Sequence, residues 1–158
     1  NDVKLKIRKY NDNNADEYFI SFESLDESII YGFCRLRLNH DNEKIFFKEL
    51  ENAALIRELH VYGIMIPHDD KSKKTQNQGF GTRLVRKAEE IAFQNGFRKV
   101  VIISGVGVRQ YYEQKHNYKL ENTYMVKKFF NSDYLLFKKY YFHISIIIVV
   151  ISIILFYI

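Results

Sequence analysis

The residues able to do chemistry gather around two glycine-rich stretches. In TQNQGFGTRL, residues 75–84, Gln76, Gly79 and Gly81 form a Gln-x-x-Gly-x-Gly pattern just before a helical run. The first N–H groups of a helix lack partners within it and sit at the positive end of its dipole. Glycine removes the Cβ that would hold a phosphate away from that backbone. No Gly-Lys-Ser/Thr follows, which excludes a nucleoside-triphosphate P-loop. The spacing alone describes a plain loop-to-helix junction equally well. In VVIISGVGVRQ, residues 100–110, Gly105 and Gly107 follow an apolar strand, where a dinucleotide fingerprint would sit. Gln110 occupies the third glycine position, and no acidic residue on a second strand stands about 20 residues on, so a dinucleotide site is not expected.

Both loops need elements to hold them. Val3, Leu5 and Ile7 alternate with Lys4, Lys6 and Arg8, the period of a half-buried strand. NDNNADE reads as a loop, YFISFES as a second strand and SIIYGFCRLRL as a third. AALIRELHVYGIMIP is a fourth, ending at the only proline, Pro67. From Phe80 the period changes. Phe80, Leu84, Val85, Ala88, Ile91 and Ala92 recur at helical spacing, with Arg83, Arg86, Lys87, Glu89 and Glu90 opposite. This predicts an amphipathic helix of about four turns, stopped near Gly96. RKVVIIS is apolar throughout, as expected of a strand covered on both faces. VRQYYEQK reads as a short helix, and YKL and YMVKKFF as closing strands. The predicted order is β-β-β-β-α-β-α-β-β, a mixed α/β sheet. The two glycine loops then follow neighbouring strands with one helix between them, so a sheet that splays there can take a pyrophosphate and an extended chain.

The 158 residues suffice for one domain with a real core, and a hydrophobic share of 47% with 27% charged predicts a folded chain. A net charge of +5 suits acidic partners without choosing among nucleic acid, a phosphorylated cofactor and an anionic membrane. Cys34 is the only cysteine, which excludes a disulfide framework, a multi-cysteine zinc site and an iron–sulfur cluster built from this stretch. It sits in a strand-like run and is expected to be a small buried hydrophobe. No signal peptide is visible, and a start at Asn1 suggests the C-terminal piece of a longer protein. Residues 1–130 read as the domain, 131–139 as a basic linker and 140–158 as a hydrophobic segment. The last carries no charge after Lys139 and reaches the lower end of the roughly 17–25 residues needed to span a bilayer. It is read as a C-terminal hydrophobic helix and membrane anchor, with Lys138 and Lys139 on the cytosolic side. A buried strand is the alternative.

Gln76-Asn77-Gln78-Gly79-Phe80-Gly81 resembles the acetyl-CoA pyrophosphate loop of the GNAT acetyltransferases. IRELHVYG, NQGFGTRLVRKAEEIA, VIISGVGVRQYY and YMVKK, in that order, resemble more narrowly the C-terminal acetyltransferase domain of the Elongator catalytic-subunit family. The resemblance runs from Val3 to Phe129; the tail is not part of the common pattern. It implies a GNAT fold, a mostly antiparallel sheet splayed around a coenzyme cleft and flanked by helices.

The resemblance further implies that Gln78, Gly79, Phe80, Gly81 and Thr82 hold the pyrophosphate of acetyl-CoA, with Gln76 opening the motif. Leu59, His60, Val61 and Tyr62 lie along the pantetheine. Tyr111 and Tyr112 belong to acetyl-CoA binding, and a phenol near the sulfur can donate a proton to the departing thiolate. Tyr112 is the first choice for that role. Glu58 and His60, on one face of the fourth strand with Tyr62, are candidate bases. Lys71, Lys73 and Lys74 are candidates for contact with adenosine phosphates or a tRNA backbone. His68, Asp69 and Asp70 are expected to be solvated, and no metal is expected. One departure stands out: Asn117 takes a turn position where the family has glycine, with one extra residue beside it.

On this resemblance the domain supplies acetyl groups for carboxymethyl-type modification of tRNA wobble uridine. The full reaction needs an upstream radical-SAM domain with its 4Fe-4S cluster and S-adenosylmethionine. Partners implied are tRNA, other Elongator subunits and histones or other protein substrates. The tail, not the resemblance, gives the expected location: cytoplasmic and membrane-anchored, the short anchor with its basic flank suiting the mitochondrial outer membrane or the endoplasmic reticulum. Two alternatives stay open, a protein lysine N-acetyltransferase and a non-catalytic tRNA-binding or scaffolding module.

Overall fold

The computed structural model describes residues 3–12, 14–40, 45–62 and 79–129. Alternating and aromatic-rich runs form seven strands: β1 (Val3–Asp12), β2 (Ala15–Ser24), β3 (Ile30–Asn39), β4 (Ala54–Val61), β5 (Lys99–Ile103), β6 (Lys119–Glu121) and β7 (Tyr124–Lys128). Helix α1 (Phe80–Gln94) lies between β4 and β5, and α2 (Arg109–His116) between β5 and β6. The element order is the one the periodicities predict. Among the described residues, the short 3-10 turns Lys48–Leu50 and Val106–Val108 carry no sequence period that would announce them. All strands join one sheet in the order β1-β2-β3-β4-β5-β7-β6.

The first loop is tighter than its composition suggests. NDNNADE is loop-like in sequence, yet β1 runs to Asp12 and β2 restarts at Ala15, paired directly with it. Asn14 takes a left-handed φ of 68°, which lets a very short turn close the hairpin. Charges then bridge the paired strands: Lys9 reaches Asp16 at 2.9 Å, and Arg37 reaches Asp12 and Glu17.

Register decides the faces. Ile20, Phe22, Cys34, Leu36, Leu38, Ala54 and Ile56 share one face and are buried. The apolar stripe of α1, namely Phe80, Leu84, Val85, Ala88, Ile91 and Ala92, is buried as well. Phe80 stacks on Phe22 at 4.6 Å, and the Arg83 guanidinium lies over the same ring. A smaller cluster of Ala53, Leu55, Val101 and Val126, flanked by Leu50 and Tyr124, occupies the opposite face. Cys34 is buried as expected, and burial pushes its thiol far above the usual range.

The chain divides into two compact units, Asn1–Lys127 and Lys128–Ile158; of the second, only Lys128 and Phe129 are described. The expected linker and C-terminal hydrophobic helix therefore lie outside the described residues. Among the described residues no helix is long and apolar enough to cross a membrane.

Candidate active site

β4 is shared unequally by its neighbours. Along β3 it pairs from Ala54 to Val61. Along β5, its parallel neighbour, pairing covers only Ala54, Leu55 and Ile56. The β5 side of Arg57–Val61 is therefore outside the ladder, and the sheet opens between the two strands. The cause is local. Leu36 pairs with Ile56 and Arg35 with Glu58, so Arg57 is an extra residue with no partner on β3. Such a bulge bends its strand and ends regular pairing beside it.

The bulge also re-aims the side chains. Strict alternation from Ile56 would put Glu58 and His60 on the buried face. Instead Leu59 and Val61 take that face, opposite Cys34 and Gly32, while Glu58 and His60 oppose Arg35 and Phe33. Glu58 stands 3.7 Å from Arg35, both half exposed. His60 stacks on Phe33 and approaches Tyr62 at 4.5 Å. The two candidate bases are thus together on one side of β4.

Helix α1 begins at the mouth of the opening. Gly79 has a φ of 106°, left-handed backbone that side chains rarely adopt, and none of the described residues crowds its missing Cβ. Its carbonyl accepts the first helical bond from the Arg83 N–H at 2.8 Å. The N–H groups of Phe80, Gly81 and Thr82 precede that bond and point out of the helix end. No acidic residue occupies the first turn, and among the described residues no side chain caps it. A Cβ on Gly81 would lie 2.9 Å from the Tyr111 hydroxyl and 3.6 Å from a Val61 methyl. Gly81 is therefore where α1, β4 and α2 come closest. Gln76, Gln78, Lys71, Lys73 and Lys74 lie outside the described residues, as do His68, Asp69 and Asp70.

The two tyrosines part company. Tyr111, half-buried, ends in the hydroxyl nearest the Gly81 position. Tyr112, the residue the sequence favours as proton donor, is 5% exposed and packs edge-on against Tyr111 and Tyr118. Burial, then the neighbouring Cys34 and Tyr111, pushes its phenol up to about 12. On a helix, consecutive residues diverge by about 100°, so one faces the opening and the other the core.

Two site features are invisible in the sequence. Ser104 follows β5 on the far wall of the opening; its buried hydroxyl has no protein partner among the described residues. His116, five residues after Tyr111, is 4% exposed, and its Nε2 lies 3.2 Å from the Tyr111 hydroxyl. Burial, with Lys127 and Arg86 adding to it, lowers its pKa to about 4. Ser104 lies within VIISGVGVRQYY but nothing there singles it out; His116 sits in no motif and emerges only as a neighbour of Tyr111 in space.

The arrangement defines an α/β protein whose sheet opens beside a helix N-terminus, leaving the β5 side of Arg57–Val61 outside the ladder. The chain belongs to the Acetyltransferase (GNAT) family, which it matches over residues 2–118. It is 45% identical over 129 residues to Elongator complex protein 3 of Schizosaccharomyces pombe, covering 79% of this chain and 23% of that protein. The Homo sapiens Elongator complex protein 3 is 43% identical over 128 residues, with the same coverage of 79% and 23%. Among solved structures, the archaeal Methanocaldococcus infernus Elp3 superposes with a TM-score of 0.66 at 35% identity, over 80% of this chain and 30% of that one. The chain thus spans less than a quarter of the length of the yeast and human relatives, at 23% of each.

Proposed function

We propose that this chain is the acetyl-CoA-binding domain of an Elongator catalytic subunit, donating acetyl groups toward carboxymethyl-type modification of tRNA wobble uridine. The observation that carries the reading is the opening of β4 away from β5 after Ile56, with the α1 N-terminus at one end and Tyr111 beside it. The likeness to Elongator complex protein 3 supports the choice of acceptor. The complete reaction, with its iron–sulfur cluster, S-adenosylmethionine, tRNA and sister subunits, belongs to the larger protein.

The residues present fit the coenzyme. A pantetheine arm carries amide groups, and the β5 side of Leu59, His60 and Val61 offers strand backbone to pair with them. The pyrophosphate suits the first-turn N–H groups of Phe80, Gly81 and Thr82, with the helix dipole behind them and Gln78 and Gly79 leading in. The buried, unpartnered Ser104 hydroxyl offers a further polar contact on the β5 wall. When bound, acetyl-CoA supplies an acyl group activated as a thioester. Tyr111, whose hydroxyl stands at the opening, is the general acid in this reading. Tyr112 holds it from the core. Glu58 and His60, on the other side of β4, are the bases available to an acceptor.

Isothermal calorimetry with acetyl-CoA tests the reading. Binding in the micromolar range is expected for the wild type. Gly79→Asp, which sets a carboxylate against the pyrophosphate, should weaken it by at least about tenfold. Gly79→Ala carries the same backbone strain without the charge and should lose less. A folded wild type that binds no acetyl-CoA sinks the proposal.

A further inference from the structure

We infer that His116 is a positioning residue for proton delivery, its Nε2–H donating to the Tyr111 oxygen so that the phenol's own proton faces the opening. The inference rests on the acyltransferase function proposed for this chain. Three contacts carry it. The Tyr111 hydroxyl is 3.2 Å from His116 Nε2 and 2.9 Å from the position a Gly81 Cβ would take. The His116 and Tyr111 rings meet edge-on at 5.2 Å. Tyr111 is thus held between the end of its own helix and the start of α1.

Immediately after His116 the chain turns sharply at Asn117. That residue adopts left-handed backbone, φ 59° and ψ 32°, and its N–H bonds to the Glu113 carbonyl while the Tyr118 N–H bonds to the Tyr112 carbonyl. The helix therefore stops at His116, and the ring stays buried against the tyrosines. Sunk among them, with Lys127 and Arg86 nearby, the imidazole stays neutral near pH 7. A neutral imidazole has one N–H and one bare nitrogen. A bare Nε2 would draw the phenol's proton toward itself and away from the opening. A protonated Nε2 leaves that proton free.

The step balances simply. A nucleophile, water or the acceptor, bonds to the acetyl carbon and gives its proton to solvent, Glu58 or His60. The carbon–sulfur bond of the thioester then breaks and its electron pair goes to sulfur. Tyr111 gives its hydroxyl proton to that sulfur. The phenolate left behind accepts the Nε2–H hydrogen bond and regains a proton from water after release. His116 neither gains nor loses a proton and touches no reacting atom.

The test uses the whole chain. In long-range proton–nitrogen correlation spectra of the unloaded protein at neutral pH, the His116 Nε2 should carry the proton, and its resonance should move in Tyr111→Phe. His116→Phe, which keeps a ring and loses the donor, should lower kcat for release of the free thiol from acetyl-CoA, with water as acceptor, at least about tenfold, one hydrogen bond's worth, with KM for acetyl-CoA unchanged. His116→Gln, whose amide places an N–H near the Nε2 position, should restore most of it. A bare Nε2, a resonance indifferent to Tyr111→Phe, or wild-type kcat in His116→Phe each overturns the inference while leaving acetyl-CoA binding in place. Loss of acetyl-CoA binding by the wild type overturns the acyltransferase function beneath it instead.

Discussion

A neutral histidine buried in a core costs stability wherever solvent would protonate it. His116 has a folded pKa of about 4 against an ordinary 6.5. Between those values the unfolded chain binds the extra proton and the folded chain does not. Stability therefore rises with pH across that window and levels off above its upper end. The full effect is about 3 kcal/mol, since each pH unit between the two values contributes roughly 1.4 kcal/mol. Urea melts at neutral and at acid pH should show it as the excess acid-lability of the wild type over His116→Phe. Nothing in the local sequence announces this residue. No periodicity in YYEQKHNYKL marks it as buried; its ring is inside because it packs against Tyr111 and Tyr112.

At the scale of elements, both helices depend on left-handed residues. Gly79 starts α1 and Asn117 ends α2. Asn tolerates that backbone better than other side-chain-bearing residues, which is why the turn survives without the family's glycine. Asn117→Gly should leave thermal stability unchanged or slightly raised. Asn117→Val should cost about 1–2 kcal/mol in denaturant melts, the penalty for a branched residue in the left-handed region. The helices and strands themselves were readable, because periods of 3.6 and 2 are written into residues such as Phe80, Leu84 and Ala88 or Val3, Leu5 and Ile7. The bulge at Arg57 was only half legible. Adjacent polar residues Arg57 and Glu58 break the alternation of IRELHV, but only the pairing with β3 shows that the break is an inserted residue.

For the molecule as a whole, the described sheet and helices account for Val3 to Lys128, and the hydrophobic segment 140–158 follows. We propose that it anchors the protein to a membrane, on the strength of its uncharged length alone. Deleting residues 140–158 should move the protein from the membrane to the soluble fraction of fractionated cells. Recovery of the full chain in the soluble fraction would refute the anchor. Sequence by itself determined the element order, the glycine junction at Gly79 and Gly81 and the family resemblance, because periodicity, glycine and motif order are properties of a line of residues. Tertiary structure alone decided which tyrosine meets the opening, on which side of β4 Glu58 and His60 lie, and that His116 stands beside Tyr111. Each of those depends on direction. A bulged residue reverses where the following side chains of its strand point, and the phase of a helix sets which of two neighbouring tyrosines faces outward; both are settled by pairing and packing across the fold.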